Sequence, residues 1–142
     1  MTATLPESTK IHTAARLPAA AIAATRVVVA FLFACHGAQK LFGLFGGVGG
    51  AGGTVAFPTW PGFWAALIEL VAGLLVGIGL FTRVAALLCS GAMAYAYFVV
   101  HQPVALLPIP NGGETAALFS WIFLLIAVLG PGALALDNLR RR

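Results

Sequence analysis

Four apolar stretches, each nearly free of charge, constrain this chain more than any other feature. They cover about residues 19–44, 63–81, 84–100 and 114–136. At a rise of about 1.5 Å per residue, the longest can cross a hydrocarbon core of about 30 Å. The chain has 142 residues, 61% of them hydrophobic and 8% charged. Soluble domains carry about 25% charged residues, so a soluble fold of one domain has too little polar surface to cover this sequence. The expected fold class is an all-α integral membrane four-helix bundle. The net charge is +4, but the basic residues gather at the two ends and form no stripe. Nucleic-acid binding, which needs a basic stripe, is not expected.

Residues 1–18 read as a polar tail with Glu7, Lys10, His12 and Arg16, either mobile or lying on the membrane surface. Pro18 suits the first turn of the helix that follows. Arg26 inside the first stretch and Gln39-Lys40 at its end argue against a signal peptide. The glycine-rich segment 46–62 has no preceding strand and no GK[ST] ending, so a phosphate loop is not expected. It reads as a flexible turn at the membrane surface, with Trp60 and Trp64 as interfacial aromatics. Thr82-Arg83 is a very short turn between antiparallel neighbours, and Gly130-Pro131-Gly132 predicts a kink in the last helix. The basic end, 140–142, closes the chain.

Four alternating helices put Lys10, Arg16, Arg83 and Arg140–Arg142 on one side and Lys40 alone on the other. The positive-inside rule then makes both termini cytoplasmic, in a plasma (inner) membrane. The helical rise puts Cys35 about 24 Å and Cys89 about 9 Å above the inner surface. That separation exceeds the ~7 Å Cα distance a disulfide tolerates. No zinc or other metal site is expected from the spacing.

An ionisable residue at the centre of a membrane costs about 2.5–3.5 kcal/mol on insertion scales, so each needs a partner or a purpose. Counting depth along the helices places His36, Lys40, Glu69, Tyr97, His101, Asn111 and Glu114 in one outer half. Arg26, Phe33, His36 and Lys40 share one helical stripe, and Met93, Tyr97 and His101 share another. Glu69 is the strongest functional candidate, as a proton-handling or quinone-binding group; the alternative is an ion pair with Lys40 or a hydrogen bond to His36 that orders the bundle. His36 and His101 suit a quinone carbonyl or plain hydrogen bonding. Haem is not expected, because it wants a dedicated pocket and more space than four short helices offer. Asn111-Gly-Gly-Glu114 fits a capping box, which competes with a binding role for Glu114. Arg26 and Asp137 both lie towards the inner side and are expected to pair. Gly73-x-x-x-Gly77 permits close helix packing.

The run RVVVAFLFACHGAQKLFG resembles the first helix of the DoxX family of small membrane proteins. IELVAGLLVGIGLFTRVAALL is similar to that family's second helix and turn, and NGGETAALFSWIFLLIAVLGPGALALD to its last helix and closing Asp. The resemblance covers about residues 20–140 and rests on Arg26, His36, Gly37, Lys40, Glu69, Gly73, Arg83, Asn111, Gly112, Gly113, Glu114 and Asp137. It implies a four-helix membrane fold and an association with redox metabolism. Relatives include the membrane subunit of a thiosulfate:quinone oxidoreductase, and mycobacterial proteins linked to an oxidoreductase complex with superoxide dismutase and a thiosulfate sulfurtransferase.

The expected function is a membrane subunit of a redox system. Its outer pocket would hold a quinone or small reductant, with Glu69 or His36 moving protons and Lys40, Tyr97, His101, Asn111 and Glu114 contacting the ligand. No nucleophile–base pair, flavin motif or CxxC is present, so peripheral redox enzymes are the expected partners for the harder chemistry. Two alternatives stay open. One is a non-enzymatic membrane anchor for such enzymes; the other is a small-molecule transporter if the chain forms a homo-oligomer. Membrane lipid is a partner under all three.

Overall fold

The computed structural model describes residues 7–140, and side chains from Leu17 onward. Residues 1–6 of the expected tail, the side chains of Lys10, His12 and Arg16, and Arg141 and Arg142 lie outside the described residues. Helix α1 runs Glu7–Phe42, α2 Gly62–Ile78, α3 Thr82–Tyr95, α4 Pro108–Asn111, α5 Glu114–Leu129 and α6 Leu136–Leu139. A wider π-helical turn, Ala96–His101, extends α3. Two stretches are long and apolar enough to cross a membrane, Leu17–Phe42 and Thr82–His101; α2 and α5 are apolar but shorter. The fold is all-α, as expected.

Helix α1 begins well before the expected start, and Pro18 lies inside it rather than in its first turn. The last long helix ends at Leu129, earlier than expected. Gly130-Pro131 does not kink it but terminates it: Gly130 takes φ 94°, a conformation open to glycine, and proline cannot continue a helix.

Helix α1 packs along α2, α2 against α3, and α3 along α5, with α5 returning to touch α1. Small residues make this possible. Ala66, Ala72, Ala85, Ala86 and Ala116 are buried between helices. The closest approach is at Gly37, where a Cβ would lie 2.5 Å from the Leu70 nitrogen and 2.8 Å from the Ala66 oxygen. Gly73 and Gly77 leave more room: a Cβ there would meet nothing nearer than 3.4 and 3.5 Å. The close crossing expected at Gly73-x-x-x-Gly77 is therefore centred on Gly37. Phe33, Phe119 and Phe123 fill the middle, with ring centroids 4.7–6.0 Å apart.

Outside this narrow core the helices are apolar all round. Phe31, Val71, Val84, Leu87, Leu118, Trp121 and Leu125 are all exposed. Water would not tolerate such a surface over four neighbouring helices, whereas hydrocarbon would.

The glycine-rich segment is more structured than a flexible turn. The Val48 N–H donates to the Gly53 carbonyl, Gly52 to Gly46, and Val55 to Lys40. Six positive-φ glycines between Gly43 and Gly52 let the chain turn this tightly. It folds back over the Lys40 end of α1. Trp60 and Trp64 are exposed at that same end, and Trp60 Nε1 donates to the Tyr95 hydroxyl at 3.2 Å.

At the other end the turn between α2 and α3 is gripped from two sides. Arg26 is completely buried. Its Nη1 donates to the carbonyls of Val76 and Gly77 in the last turn of α2; Nε and Nη2 donate to Pro131, Ala133 and Leu134. A guanidinium has five N–H donors, and five carbonyls receive them here. The cation also sits at the negative end of the α2 dipole. Asp137 meanwhile caps α3 from the far end of the chain. Its Oδ1 accepts the Phe81 N–H at 2.9 Å, and its Oδ2 accepts the Thr82 N–H at 2.9 Å and hydroxyl at 2.7 Å. Phe81 is left-handed (φ 49°), which is uncommon for a bulky side chain, and these bonds hold it there.

The expected Arg26–Asp137 ion pair is thus not formed. Both residues reach the same turn, but Arg26 is engaged by five carbonyls and Asp137 by two N–H groups and the Thr82 hydroxyl. The backbone at helix ends must be satisfied, and it outcompetes a direct contact between the two charges.

Candidate functional site

Glu69 lies in the middle of α2 and is 1% exposed. Its Oε1 accepts a hydrogen bond from Lys40 Nζ at 2.6 Å, which makes the one salt bridge among the described residues. Its Oε2 is buried without a partner among the described residues. Lys40 comes from the last turn of α1 and its side chain keeps 33% exposure. Lys40 thus serves only one of the two carboxylate oxygens.

Two cavities meet at this pair. One, of about 260 Å³, lies among α1, α2, α3 and α5 and is lined by His36, Lys40, Glu69, His101, Thr115 and Phe119, among others. The second, of about 240 Å³, lies under the glycine-rich segment and is lined by Val48, Val55, Pro61, Tyr95 and Val100. Lys40, Glu69, Met93, Ala96 and His101 belong to both walls. The Lys40–Glu69 pair therefore stands between an inner chamber and one beneath the loop.

Of the residues read from the sequence, the structure brings His36, Lys40, Glu69 and His101 to one chamber. His36 is exposed rather than buried, its ring edge-on to Phe119 with centroids 5.9 Å apart. On α1 the buried stripe runs through Arg26, Phe33 and Gly37, which leaves His36 at the edge of the seam. The hydrogen bond from His36 to Glu69, offered as an alternative to the Lys40 pair, is not formed. His101 sits at the end of the π-helical turn, its Nδ1 3.1 Å from the Asn111 carbonyl oxygen. A π turn displaces the residues after it relative to a regular helix.

Three other predicted residues do not line the chamber. Asn111 is buried, but its Nδ2 donates to the Ala105 carbonyl and its Oδ1 accepts the Gly113 N–H at 2.7 Å. Both polar atoms of its side chain are thus tied to backbone, which fixes the turn between α4 and α5. Tyr97 packs against Gly113, and its hydroxyl lies 3.5 Å from the Leu106 carbonyl. Glu114 is exposed in the first turn of α5, away from both chambers. The capping box does not form either. Asn111 ends the short α4, Gly113 is the N-cap of α5, and no side chain caps that helix.

Phe33 and Met93, which share helical stripes with the polar candidates, line the chamber too; sequence reasoning missed Ala96, Thr115 and Phe119. Thr115 carried a signal, since it lies four residues after Asn111 near the start of a span. The apolar walls carried none, because each is an ordinary residue of a membrane helix. Among the described residues no cluster of three or more His, Cys, Asp or Glu gathers in a way that could hold a metal ion. Cys35 and Cys89 are both free thiols.

The DoxX family model matches residues 21–102, which is more than half of the chain. That stretch includes His36, Lys40, Glu69 and His101 of the chamber wall, and Arg26 at the opposite end. The fourth long helix and Asp137 fall beyond it. An uncharacterized protein of Haemophilus influenzae is 42% identical over 120 residues, which covers 82% of this chain and 88% of the relative. No solved structure matches the chain. By its family match, the chain belongs to the DoxX family.

Proposed function

We propose that this protein is a membrane subunit of a redox system, and that the chamber at Glu69 receives the polar head of a quinone or small reductant. One observation carries the reading: a buried carboxylate with an unpartnered oxygen on the wall of a chamber that also presents Lys40 and His101. A buried polar atom without a partner costs about 1–3 kcal/mol, more when charged, and a ligand that donates a hydrogen bond to Oε2 removes that cost. A hydroquinone hydroxyl or another small donor does this, and Glu69 can then take the proton. His101 and the exposed His36 supply a route for it towards the end of the helices. The redox setting comes from the family resemblance.

In this reading all four long helices cross the plasma membrane as a bundle, with both termini cytoplasmic and the Lys40 end outside. Helices α2 and α5 are 17 and 16 residues long. Each spans about 25 Å, a shortfall that local thinning of the bilayer accommodates. Peripheral redox enzymes would dock on the bundle and carry the harder chemistry.

A second reading has its own observation. The 2.6 Å contact between Lys40 and Glu69 ties α1 to α2, as a purely structural pair in an anchor protein would. Native mass spectrometry of protein drawn from its own membrane separates the two. A bound quinone or other small molecule, lost in Glu69→Gln while partner proteins are still recovered, supports the redox chamber. An empty chamber with partners retained in both forms leaves the anchor.

A further inference from the structure

Arg83 and Arg140 flank a cavity of about 270 Å³ at the end of the molecule opposite Glu69, with Phe81, Val84 and Pro131 in its walls. Arg83 spends Nη1 on the carbonyls of Ala127 and Val128, at 2.8 and 2.7 Å. Its Nε and Nη2 have no acceptor among the described residues. The Arg140 guanidinium lies 4.7 Å over the Phe81 ring and makes no salt bridge among the described residues, although its charge acts on Asp137 nearby. Asp137 is also in the wall, but both its oxygens are occupied by Phe81 and Thr82. What the cavity offers a ligand is therefore positive: two guanidinium groups against one carboxylate that already has donors.

Phe81 and Val84 are shared with a second and larger recess of about 560 Å³, which is almost wholly apolar. This trough follows the seam between α2 and α3 from Phe81 and Val84 to Leu67 and Leu88. Along α2 it extends from Leu75 to Leu67, about 12 Å at helical rise. Its walls are half-exposed apolar side chains, Val71, Val84 and Leu88 among them. A cationic pocket opening at one end into a narrow apolar trough fits one kind of molecule, an anion carrying a hydrocarbon chain.

We propose that this is a binding site for an anionic glycerophospholipid. The phosphate would lie between Arg83 and Arg140, where Nε and Nη2 of Arg83 can donate to two oxygens, and an acyl chain would fill the α2–α3 trough. In a bilayer some hydrocarbon fills the trough whatever its headgroup, so the chain supplies position and little preference. Selection comes from the phosphate and net charge at the arginines. The proposal rests on the reading that the helices span the membrane with the Arg83 turn at headgroup level.

The test uses the full chain in nanodiscs of equimolar phosphatidylglycerol and phosphatidylethanolamine, with retained lipid counted by native mass spectrometry after gentle release. The wild type is expected to retain phosphatidylglycerol over phosphatidylethanolamine by about fivefold for each arginine. Arg140→Gln, whose side chain makes only the ring contact, should lower that preference about fivefold. Val84→Trp changes no charge but blocks the junction of pocket and trough, and should abolish the bound phosphatidylglycerol. Equal retention of the two lipids by the wild type overturns the proposal. So does a preference lost in Arg140→Gln but kept in Val84→Trp, which marks a diffuse basic end and no site. Displacement of the lipid by inorganic phosphate alone would reduce the site to an anion pocket and also overturns it. Glu69→Gln should retain the phospholipid, so failure here and failure of the Glu69 chamber are separate results.

Discussion

Replacing Arg26 by Met should be among the most destabilising single changes in this protein, although the position lies far from the Glu69 chamber. Met keeps much of the apolar stem and removes every donor. Five carbonyls then lose a charged donor, two in the last turn of α2 and three in the segment 131–134. Hydrogen bonds to a charged donor contribute about 1.5–3 kcal/mol each. Counting only the well-formed bonds to Val76 at 2.7 Å and Pro131 at 2.9 Å gives about 3–6 kcal/mol. Relief from burying a charge offsets part of this, so about 3 kcal/mol is the figure to test. For a chain of this size that lowers Tm by roughly 10 °C. Thermal unfolding in mild detergent, followed by tryptophan fluorescence, measures it. Arg26→Lys should fall between, since one nitrogen with three donors cannot reach all five carbonyls. A Met variant within about 1 kcal/mol of the wild type would refute the argument that backbone carbonyls, rather than Asp137, are what Arg26 is for.

The remaining expectations are smaller in scope. Gly37→Ala should cost at least about 1–3 kcal/mol, because its Cβ meets backbone at 2.5 Å, whereas Gly73→Ala has 3.4 Å of room and should be nearly silent in the same melt. Desolvation raises the Asp137 carboxyl, but the bonds from Thr82 and Phe81 and the charge of Arg140 outweigh it and hold it below its ordinary value. A depressed carboxyl stabilises the fold above its unfolded pKa of about 4 and loses that contribution as pH falls through the folded value. The Tm gap between wild type and Asp137→Asn should therefore be full at neutral pH and close as pH drops below about 4; a gap independent of pH would show that charge plays no part in the cap. For orientation, a membrane-impermeant maleimide added outside intact cells should label Thr59→Cys and spare Leu139→Cys, and the reverse pattern would invert the proposed topology.

The apolar periodicity made the helices legible, because membrane helices carry their signal in composition alone. The convergence of His36, Lys40, Glu69 and His101 was legible too, since rise per residue fixes depth. Rotation about each helix was harder to read. His36 follows Phe33 by three residues and precedes Lys40 by four, a spacing that suits the seam, yet Gly37 takes the contact because only glycine allows α2 so near. The roles of Arg26 and Asp137 were misread for a different reason. Opposite charges at similar depth suggest a pair, and nothing in a sequence announces which backbone carbonyls and N–H groups a distant turn leaves open. Asn111 and Glu114 show the same limit: the capping-box spacing is present, but the glycines between them turn the chain so that Asn111 ends one helix and Gly113 starts the next.

The two ends of the molecule solve the problem of buried charge in opposite ways. At the Arg83 end the buried cation is saturated: Arg26 spends all five donors on carbonyls, and both Asp137 oxygens are taken. Such a network has nothing to give a ligand and much to lose by moving, so its work is to fix the α2–α3 turn and the C-terminal segment. At the Lys40 end the buried acid is left short. Among the described residues a single donor serves Glu69, the other oxygen has no partner, and two chambers with histidine on the shared wall adjoin it. If Glu69 served only to join α1 to α2, a pair with its second oxygen also satisfied would do so at lower cost. Under the proposal above, a ligand that donates to the unmatched oxygen completes the set.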